Sequence, residues 1–333
     1  MRYLNGLVVK LYNIVIGLKF VNKNNKICRR FREILYHNIC YECKATFGKR
    51  NPNKLYYVIR CPQAEMGLYA VINYVTYHMK KADGMGAEPV VDWKHYPNKY
   101  YIEDNKVGKD NAWEYFFDQP VNADLDEVYK SKNVIMSAGD WELPVNEWFE
   151  PEKIWDNHQV VEKYIKLNKK TKAMYLAECE RLGIGVSKVL GCKCRGTDFK
   201  TTRPKGHAIV PDNDIIINTI ENKMIEWGEF DKIYLSTEDA NIQERLKEYF
   251  GDKLYYTEGN RFSLKENCWL SDLYDRGKEC MGTKEEDMRN YIVSTYILAS
   301  CDSLIAARVG GTLGAMRIRG EYNHTYIFQL GVY

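Results

Sequence analysis

The segment "SKVLGCKCRGTDF", residues 187–199, joins a short apolar run to an arginine, a glycine and an aspartate. Its first eight residues have the length and apolar content of a buried β-strand. Arg195 and Asp198 follow at once, and in an open α/β sheet the residues beyond the carboxyl ends of the strands are those that contact ligands. The segment therefore predicts a strand that delivers both side chains to a ligand site.

Strand-then-helix order recurs on both sides of this segment. Before it, the strand-like runs "KLYYVIRC" and "EPVVDW" flank the helical run "MGLYAVINYVTYHMKKA". After it, helical runs separate the strand-like "FDKIYLST", "DKLYYTE", "DSLIAA" and "TYIFQL". This repeated order requires parallel sheets with helices on both faces, so the fold class is α/β, with two Rossmann-like halves.

The length of 333 residues allows two domains, each with its own core. The charged stretch "NKKTK", residues 168–172, breaks a helical pattern and is the candidate hinge between them. We divide the chain into an N-terminal segment (1–35), a first Rossmann-like domain (36–175) and a second Rossmann-like domain (176–333).

Composition excludes several classes of protein. The formal net charge of +3, without a basic stripe, argues against a nucleic-acid partner. The ten cysteines occur singly or in loose pairs, and no second pair follows Cys40 and Cys43 at zinc-ribbon spacing. We therefore expect reduced thiols, no metal and a cytoplasmic location.

The N-terminal segment combines apolar and basic residues. Apolar side chains cover most of a helix between Leu4 and Phe20, but Lys10 and Lys19 interrupt them, which argues against a full membrane span. Basic residues follow as far as Arg32. Such a segment is typical of a helix on an anionic membrane surface, and equally of one that packs on a domain or a second subunit. Peripheral contact with the inner face of the plasma membrane through residues 1–32 and a homo-oligomer are both expectations.

Two more strand ends carry residues suited to an anion. "VGGTLGA" places Gly310, Gly311 and Thr312 at the start of a helix, where free amides bind anions and glycine leaves room for a phosphate. A glycine turn without a ligand is the alternative. "YLSTEDANI" places Thr237 and Asp239 at a third strand end, where an N-cap formed by Thr237 or Glu238 is the simpler explanation.

Arg195 is the centre of the predicted site, because a guanidinium grips phosphate with two parallel charge-assisted bonds. Asp198 could orient Arg195 or hold a ribose hydroxyl. A local salt bridge that only closes the loop is the alternative. Three such strand ends in one sheet favour a single convergent site.

These motifs resemble a known family. "GCKCRGTD", "KGHAIVP", "FDKIYLSTED" and "ASCDSLIAARVGGTLG" are similar, in order and spacing, to the peptide motifs of the α1,6- and α1,2-fucosyltransferases and the protein O-fucosyltransferases. The nodulation-factor and core fucosyltransferase group looks most similar, over roughly residues 187–318, with a weaker match at "CPQAEMGLYAVINYV". The resemblance implies a GT-B fold of two facing Rossmann-like domains, the first for an acceptor and the second for a GDP-sugar, bound without metal or other cofactor.

Matched residue by residue, the resemblance assigns the family's essential arginine to Arg195, which would bind the β-phosphate of the leaving GDP. Asp287 and Ser294 lie in the helical stretch before the last motif and are candidates to contact guanine or ribose. The remaining candidates for the nucleotide sugar come from the matched motifs and their neighbours: Lys193, Gly196, Thr197, His207, Thr237, Asp239, Gly310, Gly311 and Thr312.

The chain departs from the family at three positions. Lys193 stands where the family has a histidine, and Gly196 where many members have a second arginine. Arg203 falls where the core fucosyltransferases have the glutamate that acts as the catalytic base. An arginine cannot take a proton from an acceptor hydroxyl. Glu65, in the first N-terminal loop, resembles a glutamate of the protein O-fucosyltransferases and is our first candidate base. Asp198 is the second.

The resemblance implies an inverting glycosyltransferase, specifically a fucosyltransferase that uses GDP-fucose. We expect the acceptor to be a hydroxyl of a surface glycan such as a capsule, an O-antigen or a lipid-linked oligosaccharide. Two alternatives stay open. One is a glycosyltransferase with another nucleotide-sugar donor, and the other is a catalytically silent protein that binds a nucleotide or a glycan on the same fold.

Overall fold

The structure is a computed structural model that describes residues 2–5, 7, 9–11, 41–61, 67–96, 106, 108–138, 149–263 and 282–333. The chain divides into two units, Met1–Lys169 and Lys170–Tyr333. This division lies within the charged stretch 168–172. The boundary that we placed after residue 175 falls inside a helix, Lys169–Leu182, because the lysines of that stretch form its first turn.

The first unit contains a five-stranded mixed sheet. Its strands, in the order β1-β2-β5-β3-β4, are β1 (Arg2–Asn5), β2 (Cys43–Thr46), β3 (Tyr56–Arg60), β4 (Glu88–Asp92) and β5 (Val134–Met136). Neighbouring strands are parallel except for β2 and β5, so the prediction of a parallel sheet is wrong for one of the four strand pairs in this unit. The described helices are α1 (Leu68–Gly84), α2 (Leu125–Val128) and α3 (Pro151–Tyr164).

The N-terminal segment differs from its prediction. Arg2–Asn5 forms a strand that pairs in parallel with Cys43–Thr46, so the expected helix does not begin at Leu4. Val9 is buried in the core of this unit. Residues 7 and 9–11 are helical, as predicted, and of their apolar side chains Val9 is buried while Leu7 and Leu11 are exposed. Residues 12–40, which hold the whole predicted basic flank, lie outside the described residues.

The second unit contains the all-parallel sheet that the sequence predicts. Its strands, in the order β10-β9-β6-β7-β8, are β6 (Val189–Lys193), β7 (Lys232–Ser236), β8 (Leu254–Tyr255), β9 (Ser303–Ala306) and β10 (His324–Ile327). Its described helices are α4 (Lys169–Leu182), α5 (Thr197–Thr202), α6 (Asn213–Trp227), α7 (Ala240–Phe250), α8 (Lys284–Ser300) and α9 (Gly310–Arg319).

Helices cover both faces of this sheet. Alternate strand residues, Leu190, Ile233 and Ile305 among them, pack with residues of α6 and α7. The residues between them, such as Tyr234 and Leu304, pack with residues of α8 and α9. Because strand side chains alternate between faces, this arrangement explains why the strands are apolar at nearly every position.

All described cysteines are free thiols, as predicted. They are Cys43, Cys61, Cys179, Cys192, Cys194 and Cys301. No helix in the described parts of the chain is both long enough and apolar enough to cross a membrane.

The close packing around the second sheet predicts that truncating a buried side chain there destabilises the protein. Ile305, in β9, is fully buried, so Ile305→Ala should lower the free energy of unfolding by about 2–5 kcal/mol, measured in urea. Ile225→Ala is the matched control, because Ile225 on α6 is 84% exposed, and it should change stability by at most about 0.5 kcal/mol. Equal losses in the two variants would contradict the described core.

Candidate functional site

The second sheet changes its winding direction between β6 and β9. The chain passes from β6 to β7 and β8 on one side, then returns to β9 and β10 on the other. Lys193 at the end of β6 pairs with Ala306 at the end of β9, so both strands end at the same level. In open α/β sheets, ligands bind in the crevice beyond the strand ends at such a switch point.

Arg195 extends from the end of β6 into this region. Its Nε lies 3.1 Å and its Nη2 2.7 Å from the two carboxylate oxygens of Asp198, and its guanidinium lies 4.4 Å from the ring of Phe199. Burial opposes the charge of Arg195, but Asp198 and Glu238 outweigh it and raise the pKa of the guanidinium. The side chain is still 24% exposed. It is therefore a fixed and partly exposed cation, which suits a phosphate.

Asp198 has the role of orienting Arg195. Its side chain is almost fully buried, and both of its oxygens accept bonds from the guanidinium. Both oxygens of this carboxylate are therefore engaged by Arg195, which leaves it poorly placed to take a proton from an acceptor hydroxyl. The structure therefore argues against Asp198 as the second candidate base.

Two acidic residues after β7 hold the loop that carries Arg195. The Glu238 carboxylate accepts bonds from the amide of Gly196 (3.1 Å) and from the hydroxyl of Thr197 (3.2 Å). Asp239 accepts from the amide of Thr197 at 2.7 Å. Thr197 has a positive φ of 29°, a conformation that non-glycine residues rarely adopt, so these bonds hold a strained backbone in place.

Gly196 is required by this close packing. A Cβ at this position would lie 1.9 Å from Oδ2 of Asp239. No side chain can occupy that space without moving Asp239. The neighbouring loop therefore explains why this position holds a glycine.

Asp239 also forms the N-cap of α7, a role that we predicted for Thr237 or Glu238. Its Oδ1 accepts from the amide of Ile242 at 3.1 Å, and Thr237 Oγ1 accepts from the amide of Asp239 at 3.2 Å. The helix begins at Ala240, so Asp239 is the residue in the capping position. Both Thr237 and Asp239 are buried and bonded within the protein, which gives them structural roles.

The glycine turn after β9 opens α9, as the sequence predicts. The helix begins at Gly310 and has no side-chain N-cap. The hydroxyl of Thr312 is buried and donates to the carbonyl of Ala307 at 2.7 Å, so this side chain closes the turn. A Cβ on Gly311 would lie 2.5 Å from the hydroxyl of Tyr291, which shows how closely α8 approaches this turn.

Three further candidates from the sequence are Lys193, His207 and Asp287. Lys193 is buried at the end of β6, with its Nζ 3.8 Å from the Glu238 carboxylate. The ring of His207 lies 5.4 Å from that of Phe199, and burial and the charge of Arg195 lower its pKa. Asp287, at the start of α8, accepts a bond from Asn260 at 2.9 Å.

The candidate Ser294 belongs to a buried hydroxyl chain. It accepts from the hydroxyl of Tyr234 at 2.9 Å and donates to that of Ser236 at 2.8 Å. This chain joins α8 to β7, so Ser294 has a structural role.

Sequence reasoning missed the contributions of Glu238 and Tyr291. The sequence suggests Glu238 only as a helix cap. Because β7 pairs with β6, an acid that follows β7 is also placed to bind the loop that carries Arg195. Tyr291 had no local signal, because only the packing of α8 brings it to the turn at Gly311.

The first unit has a polar cluster at the carboxyl end of β4. Asp92 is fully buried and accepts from Nδ1 of His95 at 2.9 Å and from the hydroxyl of Tyr129 at 2.7 Å. Burial alone would raise the pKa of Asp92, but His95 and Tyr129 hold it below its usual value. Burial likewise opposes a charge on His95, yet Asp92 raises the pKa of the imidazole. The predicted base Glu65 lies outside the described residues.

Comparison with known proteins identifies the fold. No protein-family model matches the chain. No curated protein matches its sequence. The NodZ α1,6-fucosyltransferase soaked with GDP-fucose matches the structure with a TM-score of 0.50 at 13% identity, over 83% of this chain and 96% of that one. A variant of Arabidopsis thaliana FUT1 in complex with GDP matches with a TM-score of 0.51 at 12% identity, over 85% of this chain and 72% of that one. The predicted GT-B type of fold, as in the fucosyltransferases, is confirmed.

The double role of Asp239 predicts an unusually costly substitution. Asp239→Ala removes a helix cap and also the acceptor of the buried Thr197 amide, so it should lower the free energy of unfolding by about 2–4 kcal/mol. Asp212→Ala removes only the cap of α6 and should cost about 1 kcal/mol. Urea denaturation of both variants measures the difference. If Asp239→Ala costs no more than its control, the bond to the arginine loop contributes nothing.

Proposed function

We propose that the protein is an inverting fucosyltransferase that transfers fucose from GDP-fucose to a hydroxyl of a glycan. The observation that carries the proposal is the fixed, partly exposed guanidinium of Arg195 at the switch point of a parallel sheet. A second anion-binding element, the uncapped start of α9, follows the neighbouring strand. A nucleoside diphosphate is a ligand that uses both.

The chemistry of glycosyl transfer explains why such groups are useful. Breaking the bond between sugar and diphosphate leaves negative charge on the diphosphate. Groups that bind this charge more strongly as it develops lower the barrier, and they act best when already held in position. Asp198, Glu238 and Asp239 hold Arg195 and its loop in this way.

The similar structures support the donor class. The NodZ fucosyltransferase was soaked with GDP-fucose, and the plant protein was solved with GDP. Fucose as the sugar and guanine as the base are both part of the proposal. Binding without metal is likewise proposed, on the resemblance of the motifs.

The transfer also needs a base for the acceptor hydroxyl. Glu65 stays a candidate from the resemblance. His95 is a second, which the structure adds. A histidine whose Nδ1 is held by a buried carboxylate is an arrangement suited to general-base catalysis through the other ring nitrogen, and the His95 side chain is 25% exposed.

We propose a surface glycan, such as a capsule, an O-antigen or a lipid-linked oligosaccharide, as the acceptor, and the cytoplasm as the location. Contact of residues 1–32 with the inner membrane surface and a homo-oligomer stay predictions. A deletion of residues 1–32 would also remove β1 from its sheet, so a membrane-binding test should use substitutions within the basic stretch 23–32.

The donor class can be tested by ligand stabilisation. GDP at a concentration of 100 Kd should stabilise the folded protein by about 2.7 kcal/mol and so raise its melting temperature. UDP, dTDP and CMP should leave the melting temperature unchanged. Arg195→Met should lower GDP-fucose turnover about 10²–10³-fold, while Arg245→Met, on the exposed side of α7, should leave it unchanged. Stabilisation by a different nucleotide would indicate another donor. GDP binding without any turnover would indicate a silent binding protein.

The role of His95 predicts a pH dependence. A base acts in its neutral form, so the rate should rise with pH through the pKa of His95, which Asp92 raises. Asp92→Asn removes that charge and should move the acidic limb of the rate profile to lower pH. The nearby charges of Lys94 and Asp126 remain in this variant.

The matched substitutions test the same role directly. His95→Asn should lower turnover about 10²–10⁴-fold, while His158→Asn, on α3 of the same unit, should not. An unchanged rate and pH profile in both His95 and Asp92 variants would assign proton transfer to another residue.

A further inference from the structure

Lys193 is a buried cation at the switch point whose charge is only weakly compensated. The residue is 3% exposed, although removing an ammonium from water costs several kcal/mol unless it is paired and hydrogen-bonded. Its nearest described carboxylate oxygen, Oε2 of Glu238, lies 3.8 Å from Nζ, beyond hydrogen-bond distance. Among the described residues, no oxygen accepts a hydrogen bond from this ammonium.

The surroundings of Lys193 do not supply the missing negative charge. Glu238 already accepts bonds from the arginine loop through its other oxygen. Burial lowers the pKa of Lys193, Glu238 opposes that shift, and the cations Arg195 and Arg261 add to it. Tyr291 offers the face of its ring, 5.2 Å away, as a further weak partner. The position therefore has an excess of positive charge.

The start of α9 lies against the same side chain. A Cβ on Gly311 would be 3.4 Å from Cε of Lys193. The first backbone bond into the helix comes from Leu313, which donates to Val309 at 3.2 Å. In the described part of the chain, no protein oxygen accepts from the amides of Gly310, Gly311 or Thr312. The side chain of a buried lysine thus lies against a helix start that has three free amides.

We propose that Lys193 and the first amides of α9 together bind the α-phosphate of the nucleotide, next to the β-phosphate bound by Arg195. This inference rests on the proposed function and adds a residue that determines how the diphosphate is held. A second guanidinium cannot stand beside Arg195, because Gly196 has no room for a side chain. Lys193 supplies that second charge from the preceding strand.

The ligands GDP, GMP and guanosine separate the two phosphate contacts in a titration of the whole protein by calorimetry. Lys193→Met keeps a side chain of similar length without the charge, and it should weaken both GDP and GMP about 10–100-fold. Arg195→Met should weaken GDP by a similar factor but leave GMP within about two-fold. Guanosine, which has no phosphate, should bind both variants as it binds the wild type.

Controls keep a folding defect from being mistaken for lost binding. Lys232→Met makes the same substitution at the other end of the same sheet, where Lys232 donates to the Leu182 carbonyl, and it should bind GDP as the wild type does. Lys193→Met alone leaves the Glu238 carboxylate without its nearby cation, which could unfold the protein. The double variant Lys193→Met/Glu238→Gln removes both charges and avoids this problem. It should still lose GMP affinity.

The outcomes distinguish this inference from the proposed function. If the wild type binds no nucleotide, the proposed function fails. If the wild type and Arg195→Met behave as stated but the Lys193 variants bind GDP and GMP like the wild type, only the α-phosphate contact is wrong. Equal losses for guanosine and GMP in the Lys193 variants would also overturn it, because such a loss does not depend on phosphate.

Discussion

The site depends on one constraint, which is that the loop after β6 must hold a strained backbone and a charged guanidinium in a fixed position. Glu238 and Asp239, which follow the neighbouring strand β7, accept hydrogen bonds from the amides of Gly196 and Thr197. Asp198 orients the guanidinium of Arg195. Because these carboxylates are already bonded, the site is organised before any ligand arrives. In a reaction that releases a charged diphosphate, such preorganisation is what stabilises the transition state.

The same loop explains why Gly196 and Lys193 differ from the motifs that the chain resembles. Asp239 occupies the space into which a second arginine would project, so Gly196 is a steric necessity. The positive charge that is absent there is present at Lys193, buried on the preceding strand. The two departures are therefore best understood together, as one rearrangement of charge around the same strand end.

Much of this architecture could be predicted from the sequence, because apolar strands, amphipathic helices and the turn "VGGTLG" are local signals. The parallel sheet of the second unit and the placement of Arg195 and Gly310 at its strand ends followed from them. Three features could not be predicted, because they depend on contacts between residues that are distant in sequence. These are the role of Glu238, the approach of Tyr291 to the turn at Gly311, and the hydrogen bonds of Asp92 to His95 and Tyr129. The strand Arg2–Asn5 could not be predicted either, because its pairing with Cys43–Thr46 has no local signal.

The most direct test of the central claim is a crystal structure of the protein soaked with GDP. The account predicts the diphosphate beyond the ends of β6 and β9, with the guanidinium of Arg195 bonded to the β-phosphate and Asp198 still bonded to the guanidinium. An empty crevice, with GDP absent or bound elsewhere and Arg195 directed to solvent, would contradict it.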